Sequence, residues 1–144
     1  MIARFICLNL LIACPITMAA EYLNPPGDVA LGLPFSDAVR VGNLLVLSGK
    51  LGTKPGTTDL VEGGIKAEAR QALENIKTSL ERYGASLEDV VKCTVMIADI
   101  AEWPDFNEVY VTYFPGPKPA RSAFGAAGLA FNGRVELECW AEMD

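Results

Sequence analysis

The segment Leu44-Leu45-Val46-Leu47 restricts the fold of this chain more than any other, because it is apolar at consecutive positions. A strand sends successive side chains to opposite faces of its sheet, so a strand of this kind must be covered on both faces. Two segments of useful length have helical spacing, and two helices can cover one face of such a sheet but not both. We therefore expect the second face to meet another subunit.

The two predicted helices follow from the spacing of apolar residues. These residues recur on one helical face from Ile65 to Tyr83, and Gly84 suits the position just after a helix C-terminus. A second run of apolar and aromatic residues with the same spacing extends from Trp103 to Phe114, and Pro104 suits its first turn. The sequence therefore provides two helices to pack on the sheet.

Alternating apolar and polar residues predict the strands. The alternation is clear over residues 90–99 and 134–142, a strand is expected through Arg121, and Gly42-Asn43 suits a hairpin turn. The predicted order is β-β-α-β-α-β-β. This order describes a single α/β domain in which a mixed β-sheet has two helices packed on one face.

Residues 1–20 have the pattern of a signal peptide, because Arg4 precedes an apolar run from Phe5 to Ala20 that ends in small residues. The run is too short for a comfortable transmembrane helix, so we expect no integral membrane segment in the mature chain. We predict a domain of residues 21–144 that is periplasmic or secreted. The alternatives are a buried N-terminal helix and a lipoprotein signal, in which residues 11–14 resemble a lipobox and Cys14 would carry the lipid.

Charge and composition restrict the chemistry. The formal net charge of −6, from 12 basic and 18 acidic residues, argues against a nucleic-acid-binding surface, which needs clustered cations. The chain contains no histidine, so the usual metal ligand and the usual general base are both missing. Acid-base chemistry would then depend on a carboxylate, a Lys, a Tyr or a Cys.

Two cysteines lie in the predicted domain, Cys93 and Cys139, each on the apolar side of a predicted strand. They could form a disulfide in an oxidising compartment, but nothing in their spacing places them within bridging distance. We predict that both are buried free thiols.

A candidate site is suggested by Arg121, which follows a Pro-rich turn and could hold a carboxylate bidentately. Glu136 lies on the polar side of the last strand, and the two side chains would share a cleft if their strands are close. Asn107 offers an amide, and Ser48-Gly49 offers a hydroxyl and accessible backbone. Such a set suits a substrate that carries a carboxylate and needs water at the adjacent carbon. Taken singly, each residue also fits an ordinary structural or surface position.

Six motifs stand out along the chain: Pro34-Phe35-Ser36-Asp37-Ala38-Val39, Leu47-Ser48-Gly49, residues 70–76, Asn107-Glu108-Val109-Tyr110, Pro119-Ala120-Arg121-Ser122 and Val135-Glu136-Leu137-Glu138. In these motifs the chain resembles the Rid proteins, the reactive intermediate deaminases that are also called YjgF-like. The resemblance extends from about Pro34 to Ala141.

The resemblance implies a chorismate-mutase-like fold and a homotrimer with clefts between subunits, without a metal or an organic cofactor. It also implies hydrolysis of 2-imino or 2-enamino acids, such as 2-iminopropanoate and 2-iminobutanoate, to 2-keto acids and ammonia. In this scheme Arg121 holds the carboxylate, and Glu136 orients the water and passes a proton to the departing ammonia. Phe35, Ser48, Gly49 and Asn107 are the expected substrate contacts.

The chain departs from the Rid pattern at several positions. Phe35 stands where many deaminating members have Tyr, Lys50 replaces a common Gln, and Ala123 replaces a frequent Cys. The run before the last strand also differs, at Gly125, Gly128 and Phe131. Two other functions therefore stay open: a non-catalytic small-molecule-binding or chaperone-like homologue, and hydrolysis of a different C–N bond.

Overall fold

The structure is a computed structural model, and it describes residues 19–27 and 32–143. In these residues seven strands form one mixed sheet: β1 (Glu21–Leu23), β2 (Ala38–Val41), β3 (Leu44–Leu47), β4 (Lys50–Leu51), β5 (Val90–Ile97), β6 (Ala120–Gly125) and β7 (Val135–Glu142). The strand order is β1-β2-β3-β7-β5-β6, and β4 also pairs with β7. Two helices, α1 (Gly64–Arg82) and α2 (Trp103–Tyr113), complete the predicted α/β domain.

The core lies between the two helices and one face of the sheet. Helix α1 buries the face that carries Ala69, Leu73, Ile76 and Leu80, and α2 buries Phe106. The sheet contributes the side chains that alternate inward, among them Leu45, Leu47, Val95, Leu137 and Val135. Fully burying such a side chain stabilises a fold by roughly 1.5 to 3 kcal/mol, so this cluster holds both helices on one face, as the sequence predicts.

The opposite face of the sheet is left uncovered by the described part of the chain. Leu44 and Val46 point to this face and are half-buried, and the neighbouring Trp140 is 39% exposed. Phe124 on β6 is 51% exposed. The predicted need for a second cover over β3 is therefore present in the structure, and the subunit that would supply it stays a prediction.

Strands β6 and β7 are not neighbours, because β5 lies between them. Strand β6 pairs with β5 in parallel, with Arg121 beside Cys93, and β7 pairs with β5 antiparallel, with Glu136 beside Met96. The crossover through α2 explains the parallel pairing, since parallel strands need a long connection that is usually helical. The sequence alone does not give the distance between the strands of Arg121 and Glu136. The strand order sets this distance.

The prediction of two free thiols is wrong, because Cys93 and Cys139 form a disulfide. The two residues are direct partners across β5 and β7, with Cα atoms 4.2 Å apart. They are 46 residues apart in sequence, and only the strand register brings them together. Both side chains are fully buried, as predicted.

The predicted signal peptide lies outside the described residues except for its last two positions. Its cleavage and the lipobox alternative are therefore not tested. Among the helices of residues 19–27 and 32–143, none has the length and the apolar character that crossing a membrane requires.

Candidate active site

A β-bulge positions Glu136. Val46 pairs with Trp140, whereas Lys50 pairs with Leu137, so one more residue lies between these pairs on the β3–β4 side than on β7. Gly49 belongs to this bulge, and a Cβ atom there would overlap Oε1 of Glu136 and lie 2.9 Å from its Cδ. The carboxyl group of Glu136 therefore occupies the space that a side chain at position 49 would fill.

The surroundings of Glu136 favour its protonated form. Burial raises the pKa of this carboxyl group above its usual range, and the negative charge of Glu138 raises it further. A carboxyl group with a raised pKa can accept and return a proton nearer to neutral pH than an exposed one can. Glu136 is thus suited to acid-base chemistry, which in a chain without histidine was expected to depend on groups such as a carboxylate.

Two further predicted substrate contacts, Ser48 and Phe35, are connected to Gly49. Ser48 directly precedes Gly49, and Phe35 directly precedes Ser36, to which Ser48 is hydrogen-bonded. The hydroxyl of Ser48 donates a hydrogen bond of 2.6 Å to the carbonyl oxygen of Ser36, and the Ser48 amide donates one of 3.0 Å to that of Asp37. Phe35, directly before Ser36, is 54% exposed. Ser48 therefore uses its hydroxyl to hold the loop, and the ring of Phe35 is open to contact.

Arg121 lies against a platform of aromatic rings on α2. Its guanidinium carbon is 4.7 Å from the ring centroid of Trp103, 4.5 Å from that of Tyr110 and 5.9 Å from that of Phe106. Contacts of this kind attract the cation to the ring faces and leave its N–H edges available. Within the described part of the chain, the side chain of Arg121 forms no ion pair and no hydrogen bond.

Asn107 is on the same helix as the aromatic platform, directly after Phe106, and is half-buried. It also makes no hydrogen bond through its side chain to another described residue. The structure therefore places Asn107 and Arg121 in one group, with Asn107 on α2 and Arg121 packed against it. It places Ser48, Gly49 and Glu136 in a second group, at the bulge.

Within one protomer these two groups lie on opposite faces of the sheet. Arg121 is beside the buried Cys93 and contacts α2, so it is on the helix-covered face. Glu136 alternates with the buried Val135 and Leu137, so it is on the uncovered face. The sheet spacings give a separation of roughly 14 Å between their Cα atoms, from two strand spacings and three residues of rise. Arg121 and Glu136 of one protomer therefore do not share a cleft, and a site that uses both needs two copies of the chain.

Sequence reasoning missed two parts of this arrangement. It assigns the rings at 103, 106 and 110 to the helix core, although their spacing of three and four residues also makes one aromatic stripe that can hold a cation. It treats Asp37 only as part of a motif, but this residue is 3% exposed and contacts α1 and β4.

In residues 19–27 and 32–143, no three His, Cys, Asp or Glu side chains are grouped so that they could hold a metal ion.

The comparisons with known proteins agree on one family. Residues 29–143 match the family described as Endoribonuclease L-PSP. The chain is 42% identical over 114 residues to reactive intermediate deaminase A of Arabidopsis thaliana, an alignment that covers 79% of this chain and 60% of the plant protein. It is 43% identical over 108 residues to 2-iminobutanoate/2-iminopropanoate deaminase of Mus musculus, which covers 75% of this chain and 80% of the mouse protein.

Solved structures have the same fold. The structure of TdcF from E. coli with bound serine superimposes with a TM-score of 0.73 and 30% identity, over 78% of this chain and 90% of that one. The predicted chorismate-mutase-like fold, with a mixed sheet and two helices, is confirmed. The chain therefore belongs to the Endoribonuclease L-PSP family, in which the reactive intermediate deaminases that its motifs resemble are found.

Proposed function

We propose that this protein hydrolyses 2-imino acids and their 2-enamino tautomers to 2-keto acids and ammonia. The observation that carries the proposal is Arg121, a half-buried residue whose guanidinium is held against three aromatic rings and has no anionic partner among the described residues. The mouse relative is named for its action on 2-iminobutanoate and 2-iminopropanoate, and TdcF has been solved with serine. All of these are short molecules with one carboxylate.

Arg121 would bind the substrate carboxylate through the N–H edges that the aromatic platform leaves available. Charge-assisted hydrogen bonds of this kind contribute roughly 1.5 to 3 kcal/mol each. A bidentate contact also fixes the plane of the carboxylate and hence the position of the neighbouring imine carbon. Asn107, on the same helix, is available for a further hydrogen bond to the substrate.

Glu136 would handle the proton and the water. The carboxylate takes a proton from water while the water oxygen bonds to the imine carbon, and Glu136 then gives this proton to the nitrogen, which yields a carbinolamine and restores the carboxylate. Glu136 then helps to transfer the hydroxyl proton to the nitrogen, the C–N bond breaks, ammonia leaves, and the carbon keeps the oxygen as a ketone. The raised pKa of Glu136 suits a group that must both accept and donate a proton.

The active site would form between two copies of the chain, in a homotrimer. Arg121 and Glu136 lie on opposite faces of one sheet, so Arg121 of one copy would meet Glu136 and Gly49 of the next. The uncovered face with Val46 and Trp140 supports such an assembly, because an exposed apolar face of this kind is typical of an interface.

We also propose that the protein is exported to the periplasm or secreted. The signal-peptide pattern of residues 1–20 motivates this, and the disulfide between Cys93 and Cys139 supports it, because disulfides persist in oxidising compartments and are rare in the cytosol. Mass spectrometry of the protein from its own cells should show an N-terminus near Glu21. A lipidated Cys14 would indicate the lipoprotein alternative, and an intact Met1 would contradict export.

The activity can be tested with imino acids generated in the assay by an amino-acid oxidase. Added protein should speed the loss of the imine, which is measured by trapping the remaining imine with semicarbazide. Ammonia should appear in an amount equal to the imine that is lost. Arg121→Ala should lower kcat/KM by tens of fold or more, for the loss of the charge-assisted contacts. Arg70→Ala, which removes an exposed arginine on α1, is the matched control and should retain wild-type activity.

A binding protein without turnover is the second candidate function. It is favoured by the hydroxyl of Ser48, which is already bonded to Ser36, and by Phe35, which offers no hydroxyl to the substrate or its water. Thermal shifts with 2-keto acids, together with no imine hydrolysis, would support this candidate.

Ammonia release from carbamates or acylated enamines would indicate that the protein hydrolyses a different C–N bond. An RNA substrate, which the family description suggests, is disfavoured by the net charge of −6.

A further inference from the structure

Asp37 is a buried carboxylate with four side-chain partners. Its side chain is 1% exposed and forms an ion pair with Lys50 on β4. From the C-terminal end of α1 and the residue after it, the hydroxyl of Tyr83 donates to Asp37 at 2.8 Å and that of Ser79 at 3.4 Å. The guanidinium of Arg82 lies 3.5 Å away. Asp37 therefore ties this end of α1 to the strand that follows the bulge.

The backbone of Asp37 also holds the bulge directly. Its carbonyl oxygen accepts the Ser48 amide at 3.0 Å, and its own amide donates to Oδ1 of Asn24 at 2.9 Å. The preceding residue, Ser36, accepts the hydroxyl of Ser48 at 2.6 Å. Ser48 and Lys50 are thus both held by the segment at Asp37, and Gly49 lies between them.

Gly49 is the residue against which the carboxyl group of Glu136 lies. We propose that Asp37 is a positioning residue for the reaction, because it anchors Ser48 and Lys50 and so fixes the Gly49 backbone that supports Glu136. This inference rests on the proposed function, in which Glu136 handles the water. Asp37 itself does not contact Glu136 and would act through the bulge.

The charges around Asp37 are consistent with a permanent anchor. Burial acts to raise the pKa of this carboxyl group, but the hydrogen bond and the charge of Lys50, with the hydroxyls of Tyr83 and Ser79, outweigh burial, and the pKa lies below its usual range. Burial, and then the contact with Asp37, raise the pKa of Tyr83 to about 12. At neutral pH Asp37 is ionised and Tyr83 is protonated, which keeps the ion pair and the hydrogen bond intact.

The first test compares Asp37→Asn with the double variant Asp37→Asn/Lys50→Gln. The single variant leaves Lys50 without its anion, so the bulge should loosen and kcat should fall by about tenfold or more, while KM changes little. The acid limb of the pH profile should move to lower pH, because water that reaches Glu136 removes the effect of burial on its pKa. The neutral pair of the double variant should recover most of kcat.

Ser86→Ala is the control for a purely structural effect. It removes the capping box that Ser86 forms with Asp89, away from the bulge, and should lower stability while kcat and the acid limb stay as in the wild type. If Asp37→Asn lowers only the melting temperature, and the folded fraction keeps the wild-type kcat and pH profile, then Asp37 is structural and the proposal is wrong.

A second measurement needs no turnover, so it separates failure of this proposal from failure of the proposed function. Amide hydrogen exchange at Ser48 should be faster in Asp37→Asn than in the wild type, and the carboxyl carbon of Glu136, followed by NMR, should titrate at lower pH. If wild-type protein hydrolyses no imine but both shifts occur, the anchor is real and the activity is another. Unchanged exchange and titration would overturn the proposal.

Discussion

Glu136 shares one face of β7 with Glu138, and this neighbour is the second cause of its raised pKa after burial. A nearby negative charge disfavours the ionised form of a carboxyl group. In the proposed reaction Glu136 must be ionised to take a proton from water, so the raised pKa should set the acid limb of the activity profile. The pH at which activity is lost on the acid side should therefore depend on Glu138 as well as on Glu136.

We predict that Glu138→Gln moves the acid limb of kcat/KM to lower pH. The substitution removes the charge that helps to raise the pKa of Glu136 and leaves burial in place, so the shift should be partial. The measurement is kcat/KM against pH for both proteins. Glu142→Gln, at the exposed end of β7, is the control and should keep the wild-type limb. A shift to higher pH would contradict the assigned cause.

At the level of secondary structure, the bulge between β3 and β4 decides where Glu136 can lie. The register changes between Val46 and Lys50, and the Gly49 backbone is left close to the carboxyl group of Glu136. The atoms that a side chain at position 49 would meet first belong to the far end of a flexible side chain. A larger residue at 49 should therefore displace Glu136 more easily than it disrupts the sheet.

We predict that Gly49→Ala lowers kcat by about tenfold to a hundredfold, since misplacement of a catalytic group by about 1 Å has effects of this size. The free energy of unfolding should change by less than about 1 kcal/mol, because only a side chain must move. Gly116→Ala is the control, as no atom lies within 4 Å of the place that a Cβ atom would take there. Equal activity of Gly49→Ala and wild type would remove Glu136 from the reaction.

The disulfide belongs to the same level, since it joins the central strands β5 and β7 across 46 residues of chain. A loop of this length corresponds to a stabilisation of about 4 kcal/mol in the chain-entropy account. We predict that protein refolded under reducing conditions unfolds at clearly lower urea concentration than oxidised protein. A thiol assay in denaturant should find no free thiols in mature protein isolated without reductant, and two free thiols there would contradict the pairing.

At the scale of the whole molecule, one protomer cannot assemble the proposed site. Arg121 is on the helix-covered face and Glu136 is on the uncovered face, so a second copy must bring one to the other. The half-buried Val46 and the partly exposed Trp140 give the uncovered face the apolar character that such a contact needs. Activity and assembly should therefore depend on each other.

We predict that two inactive variants restore activity when they are mixed. Arg121→Ala and Glu136→Gln each damage every site of their own oligomer, but a mixed oligomer contains some sites with an intact Arg121 from one copy and an intact Glu136 from another. Random mixing after joint refolding should restore about a quarter of the sites. The measurement is imine hydrolysis by the mixture and by each variant alone. A mixture that stays inactive would show that both residues act within one copy, and a variant that is active alone would show that its own substituted residue is dispensable.

Much of this protein could be predicted from sequence, because local patterns carry the information. The periodicity of Ile65–Tyr83 and the positive φ available to Gly84 and Gly42 define a helix, its end and a hairpin turn, and the structure has all three. The importance of Arg121 and Glu136 could also be proposed, since charge and motif are properties of the chain alone. Sequence patterns thus sufficed for both helices, five of the seven strands, the α/β class and the family, whereas the short strands β1 and β4 were not predicted.

Which of these parts are in contact depends on the strand order and on packing. The placement of β5 between β6 and β7 separates Arg121 from Glu136 and makes partners of Cys93 and Cys139, and neither result follows from alternation along a single strand. The bulge at Gly49 and the burial of Asp37 also depend on which strands pair with each other. Strand pairing joins residues that are distant in sequence, and its register depends on the whole packed sheet, which is why local pattern could not supply it.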